Sequence, residues 1–224
     1  MSDATPQTRL YLQLAAGEGA EARLRSALAA APFDAVMITP PAGSHRDPSA
    51  LRALVALTQS HNAAALVEGD TALAQAARAD GVHLGWSATL ADTYDAAREA
   101  LGPREIVGIE ASASRHDAMT LAEAGADYVA FARVEGESGT APAAQAGVVQ
   151  WWAEVFEVPC VALGVVDAGE ASALAQAGAD FIGIVAEAGL SPDAMSTRVR
   201  AIAAALVSPG TRTDTERSSS GSER

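Results

Sequence analysis

From Arg9 to Val207, short apolar or β-branched runs alternate with longer Ala/Leu-rich segments of helical period, a pattern that leaves few folds open. The runs are Leu10-Tyr-Leu-Gln-Leu14, Ala35-Val-Met-Ile-Thr39, Ala64-Ala-Leu-Val-Glu68, Gly81-Val-His-Leu-Gly85, Glu105-Ile-Val-Gly-Ile-Glu110, Tyr128-Val-Ala-Phe-Ala-Arg133, Cys160-Val-Ala-Leu-Gly164 and Phe181-Ile-Gly-Ile-Val185. Helices are expected to begin near Gly19, Pro48, Thr71, Leu90, Ser114, Ala143, Ala168 and Pro192, with Asp167 and Ser191 as capping residues before the last two. A strand followed each time by a helix requires parallel strands and crossover connections. Eight such units in about 200 residues match the closed (β/α)8 TIM barrel at the small end of its range. The chain is therefore expected to be α/β with a single domain, a barrel over 9–207, followed by a polar tail over 208–224 with too few apolar residues to order itself.

An internal echo supports repeated units. Ala122-Glu-Ala-Gly-Ala-Asp127-Tyr-Val and Ala175-Gln-Ala-Gly-Ala-Asp180-Phe-Ile are near copies, and Ala76-Ala-Arg-Ala-Asp80-Gly-Val is a third version. Gly125 and Gly178 suit the left-handed position that ends a helix, and each aspartate then falls in the turn before the next strand. That end of a barrel carries stability rather than chemistry, so Asp80, Asp127 and Asp180 are expected to be structural.

The charge balance removes whole classes of function. Acidic residues number 28 against 15 basic ones, all arginine, for a net charge of −13. Such a chain is not expected to bind nucleic acid or an anionic membrane surface, and it has no Schiff-base or phosphate-clamping lysine. Cys160 is the only cysteine, so neither an intrachain disulfide nor a multi-cysteine metal site is available. No apolar run reaches the ~18 residues of a membrane span. With a polar start at Ser2 to Thr8 in place of a secretion signal, a cytoplasmic location is expected.

Chemistry in a barrel sits at the C-terminal ends of its strands and in the loops that follow. These positions include Gln13, Thr39, Glu68, Asp70, Trp86, Glu110, Ser112, Ser114, Arg133, Glu135, Gly164, Asp167 and Glu187. The glutamates suit general acid–base work or oxygen ligation of a divalent cation, or else form a solvated acidic rim. Arg133 suits a phosphate or carboxylate held by two parallel hydrogen bonds, or else an ion pair with Glu110 or Glu135. His45-Arg46, in the loop after the second strand, offers cationic donors to an anion. His83, inside an apolar strand with no second histidine or cysteine at ligand spacing, reads as structural. Trp151-Trp152 reads as packing, and its helix is the candidate contact for homo-oligomerisation.

Several of these segments together resemble the thiamine-phosphate synthase and thiazole tautomerase family. They are Arg9-Leu-Tyr-Leu12, Ala79-Asp-Gly-Val-His-Leu-Gly85, Gly125-Ala-Asp-Tyr-Val-Ala-Phe131, and Pro159-Cys-Val-Ala-Leu-Gly164 followed by Gly178-Ala-Asp-Phe-Ile182. The resemblance implies a (β/α)8 barrel of thiamine biosynthesis. Its ligand would be a small phosphorylated heterocycle: a synthase joins a pyrimidine diphosphate to a thiazole phosphate, with Mg2+ assisting the departure of pyrophosphate. By that resemblance Ser112 or Ser114 and Gly164 carry over as site residues. Glu110 stands where a catalytic proton carrier is needed, Arg46, Arg115 or Arg133 replace lysines, and Glu68 or Asp70 replaces a metal ligand. The chain departs from the family pattern elsewhere. Thr39-Pro-Pro41 ends the second strand, Glu68-Gly69 replaces Asn-Asp, Trp86-Ser-Ala88 follows the fourth strand, and no lysine follows Phe131. These departures keep other readings open: a catalytically silent or regulatory homologue, a tautomerase, or a barrel enzyme acting on another substrate.

Overall fold

A computed structural model describes residues 7–41, 48–111, 114–133 and 141–207. His45, Arg46, Ser112, Glu135 and the 208–224 tail lie outside the described residues.

The strands are β1 (Arg9–Ala15), β2 (Ala35–Thr39), β3 (Ala64–Glu68), β4 (Gly81–Leu84), β5 (Ile106–Glu110), β6 (Tyr128–Phe131), β7 (Cys160–Val165) and β8 (Phe181–Ala186). They alternate with α1 (Ala20–Ala30), α2 (Pro48–Gln59), α3 (Thr71–Ala77), α4 (Leu90–Leu101), α5 (Arg115–Glu123), α6 (Ala141–Val155), α7 (Ala168–Gln176) and α8 (Pro192–Val207). Each strand pairs in parallel with the next, and β1 pairs with β8, so the sheet closes into the expected (β/α)8 barrel.

Alternation along each strand separates two cores. Leu12, Val36, Val67, Val107, Val129 and Ile184 point outward and pack under the helices, with Trp152 of α6 wholly buried among them. Trp152 stacks on Phe156 with centroids 4.1 Å apart and donates to the Val158 carbonyl at 2.7 Å, which makes it a packing residue. Tyr11, Met37, Leu66, Tyr128, Ala130, Val161 and Leu163 point inward and fill the barrel.

The repeated aspartates are structural, as their placement implies. Asp80 accepts from the Ala65 N–H at 2.7 Å, Asp127 from Val107 at 2.8 Å, and Asp180 from Cys160 at 2.8 Å. In each case the residue before an even strand grips the first turn of pairing on the preceding odd strand.

Candidate functional site

One line of paired residues crosses the barrel interior. Glu68 of β3 is in register with His83 of β4, His83 with Gly108 of β5, and Gly108 with Tyr128 of β6. A Cβ on Gly108 would lie 1.9 Å from the Tyr128 ring. The missing side chain is what lets that ring lie across β5 and bring its hydroxyl within 2.8 Å of His83 Nδ1. On its other side the Tyr128 hydroxyl meets that of Tyr11 at 2.9 Å. His83 is therefore inside the barrel, and burial pushes its pKa down to about 4, so it is neutral at pH 7. Burial likewise raises both tyrosines well above their ordinary value. The group reads as a neutral hydrogen-bonded chain, with His83 Nε2 buried and without a hydrogen-bond partner among the described residues at its end.

A second constellation surrounds the C-terminal end of β7. The β7–β8 register shifts between Ala162 and Val165, and Gly164 at this irregularity adopts φ +87°. Its N–H donates to Gln13 Oε1 of β1 at 2.7 Å. Gln145 of α6 is buried and donates to the Phe131 carbonyl at 2.8 Å and the Leu163 carbonyl at 2.7 Å, tying the ends of β6 and β7 together. Arg133, two residues beyond β6, forms an ion pair with Glu170 of α7. Glu170 lies 37 residues away in sequence and is brought in by the β7–α7 turn. The α7 N-cap Asp167 accepts from the Glu170 N–H at 2.9 Å, so this carboxylate supports the helix instead of pointing freely into the mouth.

Other expected site residues sit at strand ends but have local duties. Ser114 caps α5 by accepting from Asp117 N–H at 3.1 Å, and Asp70 caps α3 by accepting from Leu73 N–H at 2.9 Å. Glu187 pairs with Arg198 at 2.5 Å, and Arg198 also donates to the Val185 carbonyl at 2.6 Å. Glu68 and Glu110 end β3 and β5, each half-buried. Arg115 stacks 4.6 Å above the Trp151 ring. Among the described residues no three His, Cys, Asp or Glu side chains come together in a way that could hold a metal ion.

Arg23, Thr58 and Gln145 are buried polar residues that the sequence reading does not single out. Arg23 of α1 is 3% exposed and donates to the carbonyls of Ala15, Glu18 and Ala188, clamping the loops after β1 and β8 together. Its spacing from Ala20, Leu24 and Ala27 already put it on the apolar face of α1, which was the available signal. Gln145 had no such signal in an Ala-rich helix, because its partners come from two strands.

The molecule is a (β/α)8 barrel with glycine, arginine and carboxylates gathered where its strands end. A family model described as thiamine monophosphate synthase matches residues 21–188. The chain belongs to that family. It is 40% identical over 135 residues to the thiamine-phosphate synthase of Erythrobacter litoralis, covering 58% of this chain and 62% of that relative. With the thiamine-phosphate synthase of Rhodospirillum centenum it shares 39% identity over 137 residues, covering 60% of this chain and 65% of the relative. The match thus spans less than two thirds of the length of either relative. Among solved structures, the thiamine phosphate pyrophosphorylase of Pyrococcus furiosus superposes with a TM-score of 0.72 at 21% identity, over 90% of this chain and 96% of that one, a likeness of fold.

Proposed function

We propose that this chain is a thiamine-phosphate synthase-like transferase that takes a phosphorylated thiazole and a pyrimidine diphosphate as substrates. In that reaction the pyrimidine's methylene C–O bond breaks, pyrophosphate leaves with the electron pair, and the thiazole nitrogen forms the new C–N bond. The observation that carries the reading is the family match across residues 21–188, which includes every strand end from β2 to β8. The thiazole phosphate is assigned to the β7 end, with Gly164 lining it, Arg133 supplying the positive charge and Ser114 a hydroxyl. Glu110, the last residue of β5, and Ser112, two positions further along the sequence, are assigned to the reacting centre, and Arg46 to the diphosphate. Glu68 and Asp70 are the carboxylates closest in role to a divalent-cation site, where Mg2+ would serve by screening the diphosphate charge.

A second reading, a barrel that binds the ligand but does not turn it over, is favoured by the engagement of its cations. Arg23, Arg133 and Arg198 all donate to acceptors within the protein, and no lysine is present. The two readings separate in one experiment. Purified protein is incubated with both substrates and Mg2+, and thiamine phosphate and pyrophosphate are measured, alongside calorimetric titration with thiazole phosphate. Turnover supports the synthase. Binding without turnover supports the silent barrel, and no binding at millimolar ligand rejects both.

A further inference from the structure

The Glu170 carboxylate is in an unusual place for a residue of its type. Asp167 and Glu170 have the spacing of a capping box, in which the glutamate three residues into the helix reaches back to the N–H of the cap itself. Here Glu170 Oε2 instead faces the N–H of Val166, one residue earlier, at 3.4 Å, and Oε1 is held by the Arg133 guanidinium. The side chain is 6% exposed, while that of Arg133 is 35% exposed. A carboxylate is thus drawn into the β7–α7 turn between a backbone N–H and an arginine.

Those two donors are the kind that bind a phosphate monoester at this end of a barrel: an N–H from the loop after β7, and a guanidinium able to make parallel hydrogen bonds. Gly164, two residues before Val166, stands directly against Arg133, whose Cβ lies 3.8 Å from where a Cβ on Gly164 would stand. An anion and the Glu170 carboxylate would compete for the same partners, and two anions sharing one guanidinium repel each other at short range.

We propose that Glu170 is a built-in surrogate for the ligand's phosphate: it holds Arg133 and the Val166 N–H in the ligand-free chain and must turn away for a phosphate monoester to bind. Glu170 therefore sets how strongly this end of the barrel accepts anions and disfavours weakly bound ones. The inference rests on the assignment of the thiazole phosphate to the β7 end made above.

The test compares binding of inorganic phosphate and of thiazole phosphate by wild type, Glu170→Gln, Arg133→Ala and Glu154→Gln. The Glu170→Gln substitution keeps the size of the side chain and its helix position while removing the charge. Glu154→Gln changes the net charge equally on an exposed face of α6. The expected result is at least tenfold tighter binding of both ligands by Glu170→Gln, no more than a twofold change for Glu154→Gln, and loss of binding for Arg133→Ala. Unchanged or weaker binding by Glu170→Gln while wild type still binds overturns the surrogate but leaves the phosphate assignment standing. Tightening of equal size in Glu154→Gln also overturns it, as a general charge effect. Absence of binding in wild type and Glu170→Gln alike overturns the surrogate and the assignment together. Should Glu170→Gln fail to fold, NMR titration of wild type with phosphate decides. The Val166 amide, the Arg133 guanidinium and the Glu170 carboxyl carbon are expected to shift together, and a titration that leaves Glu170 unmoved overturns the proposal.

Discussion

At the scale of single residues, the barrel interior depends on one missing side chain. Gly108 lets the Tyr128 ring reach His83, so Gly108→Ala would drive a methyl group into that ring, where the neighbouring Tyr11 leaves no obvious retreat. A loss of about 3 kcal/mol is expected, measured by urea denaturation, within the upper range of overpacking costs. His83 makes stability depend on pH. Its folded pKa of about 4 lies below the unfolded 6.5, so the unfolded chain takes up the proton first. The His83 contribution is complete above pH 6.5 and is lost as the pH falls towards 4, on the order of 3 kcal/mol in all from the span between those values. His83→Gln, which retains a hydrogen-bonding partner for Tyr128, is expected to flatten the stability profile across this window. A slope unchanged by the substitution would assign the acid sensitivity to other groups. Burial also pushes the Cys160 thiol up to about 12, so slow alkylation of the native chain and rapid alkylation after unfolding are expected.

At the scale of elements, the sequence was most informative where local physics decides the outcome. Strand runs such as Ala64–Glu68 and helix starts such as Thr71 after Asp70 follow from periodicity and capping, both of which are local. α6 begins at Ala141 instead of near Ala143, a difference of the size that fraying and terminal turns produce. The site was less legible because its partners come together only after closure. Nothing near Arg133 in sequence points to Glu170, and nothing near Gln13 points to Gly164, 151 residues away. The αβ-turn aspartates lie between these cases, since their repetition is visible but their partners are not. Asp127→Ala removes an acceptor shared by Val107 N–H and Arg98 and is expected to cost about 1–2 kcal/mol, read from thermal or urea unfolding. Asp127→Asn should recover part of this loss.

At the scale of the whole molecule, the two ends of the barrel are finished differently. The N-terminal mouth has a cavity of about 270 Å3 between Arg9, Tyr11, Ala35, Ala64, Leu66, Ile106, Tyr128, Val161 and Phe181, opened by two alanines where larger side chains would complete the layer. Ala64→Val fills part of it with a residue suited to a strand, and a gain of about 2–4 °C in Tm is expected. The clasping aspartates say something else about this ring. The carboxylates of Asp80, Asp127 and Asp180 join β3 to β4, β5 to β6 and β7 to β8 through the backbone N–H groups of Ala65, Val107 and Cys160, each of these bonds lying within one two-strand cassette. A circularly permuted chain opened between α4 and β5 keeps every clasp inside one continuous cassette, whereas opening it between α5 and β6 places Asp127 and Val107 at opposite termini. The first permutant should therefore refold with near-native cooperativity and the second should fray at its ends, so the positions of three carboxylates mark where this closed ring tolerates being cut.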